Sequence, residues 1–310
     1  MKWKGVIAAM TTCFDERGEV DHGFIAAHAR WIIDNGCSGI VAPGSLSEAA
    51  TLRFEEKLAV LRTYVKTLQG RAPVVGAISS PATNEAVNLA KAAHEIGCNA
   101  LMIFPPYLHM GDWREMKTHG ASVMRATELP CMLYNNPICY RTDFLPEQIQ
   151  ELANEHPNLE AVKESTGDVR RVTAIRMLVG DRLDVLGGAD DAIVEEIGAG
   201  ATGCVSGLPN ALPRESVDLF NYAIEGKSAQ AFELYRWFLP LLRFDAVPKS
   251  VQLIKLLQEE LGVGSARVRA PRLQVVGEEL DLARKTIREA MRHRPKSAST
   301  ELTQMTRSSV

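Results

Sequence analysis

An alternation limits this chain more than any other feature. Short apolar runs at 5–12, 39–42, 72–78, 100–104, 130–134, 159–164, 183–187 and 203–206 each end at glycine, proline or polar residues. Segments with helical apolar spacing separate them. In the first, Phe24, Ile25, Ala27, Trp31, Ile32 and Ile33 recur on one face, Asp21 stands where a cap belongs and Asn35-Gly36 closes it. Further helices are expected at 54–68, 84–96, 113–127, 146–154, 169–178 and 190–197. Apolar strands joined by helices argue for a parallel sheet covered on both faces. Eight such units match a closed (β/α)8 barrel, the TIM barrel of the α/β class. A doubly wound open sheet is the alternative. It needs a phosphate-binding loop after its first strand, and Thr11-Thr-Cys-Phe-Asp15 is not one.

The alternation stops after Leu212-Pro213. From Ser216 to about Arg292 the pattern is three or four helices with no strand, which pack on the barrel flank or make a subunit contact. The expected division is therefore a barrel over 1–210, a helical extension over 211–294 and a polar, aperiodic, disordered tail over 295–310. The 35 basic and 38 acidic side chains leave a net charge of −3, which offers nothing to nucleic acid or an anionic membrane. No apolar run approaches the ~18 residues of a membrane span. The start, Met1-Lys-Trp-Lys-Gly, lacks the apolar core of a secretion signal. The six cysteines are scattered without a Cys-x-x-Cys pair, and the seven histidines show no metal-ligand spacing. A cytoplasmic protein without metal or cofactor is expected. His109 and His119 read as surface residues. Gly198-Ala-Gly-Ala-Thr-Gly203 matches G-x-G-x-x-G but ends a helix and enters a strand, the reverse of a dinucleotide loop.

In such barrels chemistry sits where strands end and loops begin. The residues there are Gly44-Ser-Leu-Ser-Glu48, Pro105-Pro-Tyr107, Tyr134-Asn-Asn-Pro137, Lys163-Glu164, Gly187-Gly-Ala-Asp-Asp191 and Ser206-Gly207. Strand alternation puts Leu159, Ala161 and Lys163 on one face, apolar up to its terminal amine, with Glu164 on the other face in a structural role. A strand-end lysine ordinarily snorkels to solvent, so Lys163 carries weight only with its neighbours. One amine, two phenols, hydroxyls and glycine-freed amides suit imine chemistry on a carbonyl compound. An amine active near neutral pH needs its pKa lowered by roughly three units, and desolvation in an apolar mouth is expected to supply this without an acid beside it. Asp190 and Asp191 read as caps of the seventh helix.

Gly44-Ser45-x-x-Glu48, Tyr134-Asn135-x-Pro137, Val162-Lys163-Glu164 and Gly188-x-Asp190-Asp191, in this order along one barrel, resemble the dihydrodipicolinate synthase / N-acetylneuraminate lyase family over residues 1 to about 292. The resemblance implies a homo-oligomer acting on a small 2-oxo acid. It implies that Lys163 forms a Schiff base, that Tyr134 shuttles protons, and that Ser45 links Tyr134 to a tyrosine matching Tyr107 from a neighbouring subunit. Gly44, Ser45, Leu46, Val205, Ser206 and Cys139 would line the substrate. Two positions depart from the synthase pattern. Leu46 replaces a second carboxylate-binding hydroxyl. Cys139 stands where the synthase carries a substrate-gripping arginine, with Arg141 two positions on, a loss of about 2 kcal/mol or more of charge-assisted bonding. With Tyr134-Asn-Asn-Pro-Ile138 and Val268-Arg-Ala-Pro-Arg-Leu273, this looks more like the branch that deaminates 1-pyrroline-4-hydroxy-2-carboxylate. A 2-keto-3-deoxy sugar acid aldolase or dehydratase and the synthase are the alternatives within the family. A non-catalytic barrel that binds an oxo acid, and an interaction protein using the helical extension, are the alternatives outside it.

Overall fold

The computed structural model describes residues 1–295. Eight parallel strands close into a barrel in sequence order: β1 (Gly5–Ala9), β2 (Gly39–Ala42), β3 (Val74–Ile78), β4 (Ala100–Ile103), β5 (Cys131–Asn135), β6 (Leu159–Glu164), β7 (Asp184–Gly187) and β8 (Gly203–Ser206). Closure is made by β1 and β8, with Gly5 through Ala8 in register with Gly203 through Ser206. The open doubly wound sheet is thereby excluded. The helices are α1 (His22–Asp34), α2 (Phe54–Leu68), α3 (Thr83–Ile96), α4 (Trp113–Arg125), α5 (Pro137–Tyr140), α6 (Pro146–Glu155), α7 (Arg170–Val179), α8 (Ile193–Gly198), α9 (Pro213–Ile224), α10 (Ser228–Leu242), α11 (Ser250–Glu260) and α12 (Gly277–Arg292). The last four make up the helical extension. No helix among the described residues is long and apolar enough to cross a membrane. Apart from Pro295, the expected tail lies outside the described residues.

Alternation along the strands splits the buried side chains into two layers. Ile7, Val41, Val75, Ala77, Met102, Met132, Ala161, Leu186 and Val205 fill the barrel, with Trp3 at its base and Phe104 and Tyr134 near its mouth. Val6, Ala8, Ile40, Val74, Leu101, Leu133, Val162 and Val185 face the helices. Both layers are apolar, which is why the strands read as nearly continuous apolar runs.

Several expectations need correction. The first strand stops at Ala9, because Thr11 and Thr12 spend their polar groups on Asn210 and on the Ser47 carbonyl. Leu159 does not share the face of Ala161 and Lys163: the β5–β6 register slips between Cys131 and Met132 and turns Leu159 outward. Glu160 instead takes the hydrogen bond of the Trp3 indole at 3.0 Å. His119 is buried, not superficial. It shares the inner face of α4 with Met116 and Val123, contacts Thr83 Oγ1 through Nδ1 at 3.0 Å, and has its pKa lowered by burial. His109 is exposed as expected. Five cysteines are buried and Cys139 is exposed. The stretch Gly198–Gly203 does run from the end of α8 into β8.

Candidate active site

Register places the site. Tyr134 and Lys163 are direct partners across β5 and β6, and Leu186 flanks Lys163 on β7. Both side chains point inward, and Lys163 Nζ stands 4.5 Å from the centre of the Tyr134 ring. Phe104 meets that ring edge-on at 5.0 Å, fixing its tilt. Asn136 Nδ2 donates to Tyr134 Oη at 3.0 Å. Lys163 is 6% exposed and forms no ion pair among the described residues. Behind it Gly188 approaches so closely that a Cβ there would lie 2.6 Å from Lys163 Cε and 1.9 Å from Ser165 Oγ. Only glycine leaves the lysine stem its channel.

Glu164 faces away from the barrel axis, as expected. It accepts from Asn135 Nδ2 at 3.0 Å, from the Thr166 amide at 2.8 Å and from Arg171 Nε at 3.3 Å. These bonds tie the ends of β5 and β6 to α7 and hold the Tyr134–Lys163 pair in place.

The loop after β2 forms the opposite wall. Gly44 lies over Phe104, where a Cβ would come within 3.3 Å of the ring. Ser45 is exposed at the mouth, and Ser47 is buried and donates to the Met10 carbonyl. Leu46 is buried with its tip against Gly207. Glu48 closes the loop in the left-handed conformation, φ 59°. Its amide donates to Ser45 O at 3.0 Å, and its carboxylate is buried against Lys255 Nζ at 2.9 Å and the Arg269 amide at 3.0 Å. The helical extension thus clamps the loop that carries Ser45.

Three acidic or phenolic groups contribute in ways the sequence did not reveal. Asp190 does not cap its own helix. Its Oδ2 accepts from Ser206 Oγ at 2.7 Å and from the amides of Gly207 and Leu208 at 3.1 Å each. Those freed amides of the β8 loop outcompete a local cap. Asp245, just beyond α10, reaches back to the same loop, where its Oδ1 would stand 2.9 Å from a Cβ on Gly207. No regularity in the chain flagged it. Tyr140, on the short helix α5 that was not anticipated, lies 5.7 Å from Tyr134 and 5.6 Å from Phe104, ring to ring. The Asn136-Pro137 pair was the available signal: Asn136 Oδ1 caps α5 by accepting from the Cys139 amide at 3.0 Å.

The charge balance reverses one expectation. Burial pulls the Lys163 ammonium down, but Tyr134, Asp245 and Asp190 outweigh it and raise its pKa above the ordinary lysine range. Asp190 is pushed up to about 8 by burial and by Asp245. Asp245 is also raised by burial, against the pull of Lys163. The charges of these buried groups therefore favour the ammonium form of Lys163, so desolvation alone does not free the amine. Val205 lines the interior beside this group. Cys139 stands exposed at the mouth. Tyr107 turns its hydroxyl toward Ser79 and Glu85, and its ring lies 5.9 Å from that of Tyr140.

Comparison with known proteins shows the family of the chain. The model of the dihydrodipicolinate synthetase family matches residues 2–290. The 4-hydroxy-tetrahydrodipicolinate synthase of Mesorhizobium japonicum is 32% identical over 272 residues, covering 88% of this chain and 93% of that protein. Its counterpart in Methanocaldococcus jannaschii is 30% identical over 269 residues, with 87% and 92% covered. The crystal structure of dihydrodipicolinate synthase from Aquifex aeolicus superposes with a TM-score of 0.89 at 29% identity, covering 92% of this chain and 97% of that one. The chloride-inhibited synthase of Acinetobacter baumannii, complexed with pyruvate, gives 0.89 at 27% identity, with 94% and 99% covered. With a match over nearly its whole length and a buried lysine paired with a tyrosine in the barrel mouth, this chain belongs to the dihydrodipicolinate synthetase family of class I Schiff-base lyases.

Proposed function

We propose that Lys163 is the amine that condenses with the substrate, that Tyr134 carries its protons, and that the substrate is a cyclic imine of a 2-oxo acid, best 1-pyrroline-4-hydroxy-2-carboxylate. In this reading the enzyme consumes one water and releases ammonia and 2-oxoglutarate semialdehyde. The observation that carries it is the polarity of the mouth. Cys139 occupies the place where the synthase pattern has an arginine for a second carboxylate, while the buried carboxyl groups of Asp190 and Asp245, both at the β8 loop, act on the charge of Lys163. Carboxyl groups favour a substrate with a nitrogen to lose over one with a second carboxylate to hold.

A protonated resting lysine is compatible with this chemistry. Addition of the Lys163 nitrogen to the C=N carbon, followed by cleavage of the bond to the ring nitrogen, moves two protons from the ammonium to that nitrogen. The product is a protonated Schiff base and a free primary amine, with charge conserved. The ring of Tyr134, 4.5 Å from Nζ, supports the reading that this phenol ferries those protons. The amides near Gly44 and Ser45 and the carbonyl of Val205 would hold the oxo acid. By the same resemblance the working form is a homo-oligomer.

A second reading, condensation as in the synthases, is favoured by the names of the relatives. The deciding experiment offers the full chain each substrate and measures ammonia release and condensation product separately, with borohydride trapping and mass mapping of the modified residue. The proposal expects ammonia from the pyrroline, trapped mass on Lys163, and loss of both in Lys163→Ala. Condensation without ammonia release assigns the synthase reaction instead. Trapping on another residue overturns the role of Lys163.

A further inference from the structure

We propose that Asp245, brought to the barrel mouth by the helical extension, is a substrate-binding residue. Its carboxylate accepts a hydrogen bond from the nitrogen of the substrate and so selects ring amines and imines over compounds with a second carboxylate. The inference rests on the reading of the substrate as a nitrogen-bearing derivative of a 2-oxo acid.

Asp245 lies in the turn between α10 and α11. Both flanks of that turn are tied to the barrel. Tyr235 of α10 donates to Glu195 Oε2 at 3.1 Å, and on α11 Lys255 meets Glu48 while Ile254 packs against Gly207. The Asp245 amide closes the turn by donating to Leu242 O at 3.0 Å. Its carboxylate projects over Gly207, where Asp245 Oδ1 and Leu46 Cδ2 would each stand 2.9 Å from a Cβ. A side chain at position 207 would take that space, and glycine leaves it to the carboxylate. Oδ1 therefore sits between the β8 loop and the loop after β2.

The two carboxyl groups at this loop are not equivalent. Asp190 Oδ2 takes hydrogen bonds from Ser206, Gly207 and Leu208 and is spent on holding the loop. Asp245 is half-buried, and its carboxylate takes no hydrogen bond among the described residues. A carboxylate so placed is costly unless a ligand or solvent supplies the donor. Its charge is felt at Lys163 on β6 and at Cys139 on α5, so it acts on both sides of the space in which a carbon bonded to Nζ must lie. In a cyclic imine the nitrogen is bonded to that same carbon. An N–H there gains a charge-assisted bond, and a second carboxylate meets repulsion. No bond to Asp245 changes.

The test compares Asp245→Asn with the unaltered full-length protein. KM for 1-pyrroline-4-hydroxy-2-carboxylate and for 1-pyrroline-2-carboxylate, read by ammonia release, is expected to rise about ten-fold, as for the loss of one hydrogen bond to a charged group. Borohydride trapping of pyruvate, which has no nitrogen, should be no slower, because a charge that favours the Lys163 ammonium is gone. A merely structural role would slow both. Calorimetric binding of proline and of cyclopentanecarboxylate, the same ring without the nitrogen, needs no turnover. The unaltered protein should bind proline about ten-fold more tightly, and the variant should bind the two equally. Equal binding by the unaltered protein overturns the proposal whether or not the variant folds. So does a parallel loss with pyruvate. A KM rise confined to the hydroxylated pyrroline also overturns it, by assigning the carboxylate to the hydroxyl group. If neither pyrroline releases ammonia while the proline preference is present and lost in the variant, the substrate assignment fails and Asp245 keeps its role. If ammonia is released and the preference is absent, only the role of Asp245 fails.

Discussion

Replacing Lys255 by methionine should damage both the stability and the site of this protein. Lys255 and Glu48 are 1% and 0% exposed and meet at 2.9 Å, and Lys255 Nζ also donates to Thr12 O at 2.9 Å. Burial lowers the Lys255 pKa despite the pull of Glu48. The pair is therefore a weak net contributor that is costly to break. Removing one partner of such a pair costs about 3–5 kcal/mol. Here Glu48 keeps the Arg269 amide at 3.0 Å and Arg272 at 3.8 Å, which favours the lower end. With an unfolding entropy of about 0.65 kcal/mol/K for a chain of 310 residues, a loss of about 3 kcal/mol lowers Tm by about 5 °C. Glu48→Gln with Lys255→Met should recover to within about 1 kcal/mol of the original, because no buried charge remains while the acceptor for Arg269 survives. Urea unfolding of the four proteins of this cycle supplies the coupling energy. Since Glu48 closes the loop carrying Ser45, the single variant should also raise KM for the oxo acid several-fold. A cost below about 1 kcal/mol with no coupling would refute the reasoning.

Gly188→Ala should cost about 1–3 kcal/mol by overpacking. It should lower kcat by about 100-fold, because the new methyl group displaces the Lys163 stem; steady-state activity within three-fold of the original would show that the channel has slack. His28 is buried, donates from Nε2 to Asn210 O at 2.8 Å, and has its pKa lowered to about 4 by burial. The unfolded chain takes up that proton near pH 6.5 while the folded chain does not. Stability should therefore be full above pH 6.5 and fall by about 3 kcal/mol as the pH drops to 4. Urea midpoints across that range should show the fall, and His28→Gln, which retains a donor for Asn210, should flatten it.

The juxtaposition of Lys163 and Tyr134 was legible in the chain. Lys163 and Tyr134 each end an apolar strand, and adjacent parallel strands of similar length bring their ends together. The face assignment failed at Leu159 because a register slip, which depends on the partner strand, cannot be seen in one strand. His119 was misplaced because its polarity was weighed above its spacing with Met116 and Val123. The pKa of Lys163 was assigned in the wrong direction because Asp245, eighty-two positions further on by difference of residue numbers, was not known to face it.

What the sequence determined by itself is everything set by period and punctuation: eight strands, the helices between them, closure of the barrel, and the rim that carries the candidate site. Those follow from local backbone geometry and the burial of apolar faces, both written in neighbouring residues. Only the tertiary structure decided the electrostatic state of the site. It brought Asp245 to the β8 loop, buried Glu48 against Lys255, and left the Tyr140 hydroxyl beside Ser45. Charges and hydroxyls act through space at a few ångströms in a medium of low polarity, and sequence distance carries no record of that proximity.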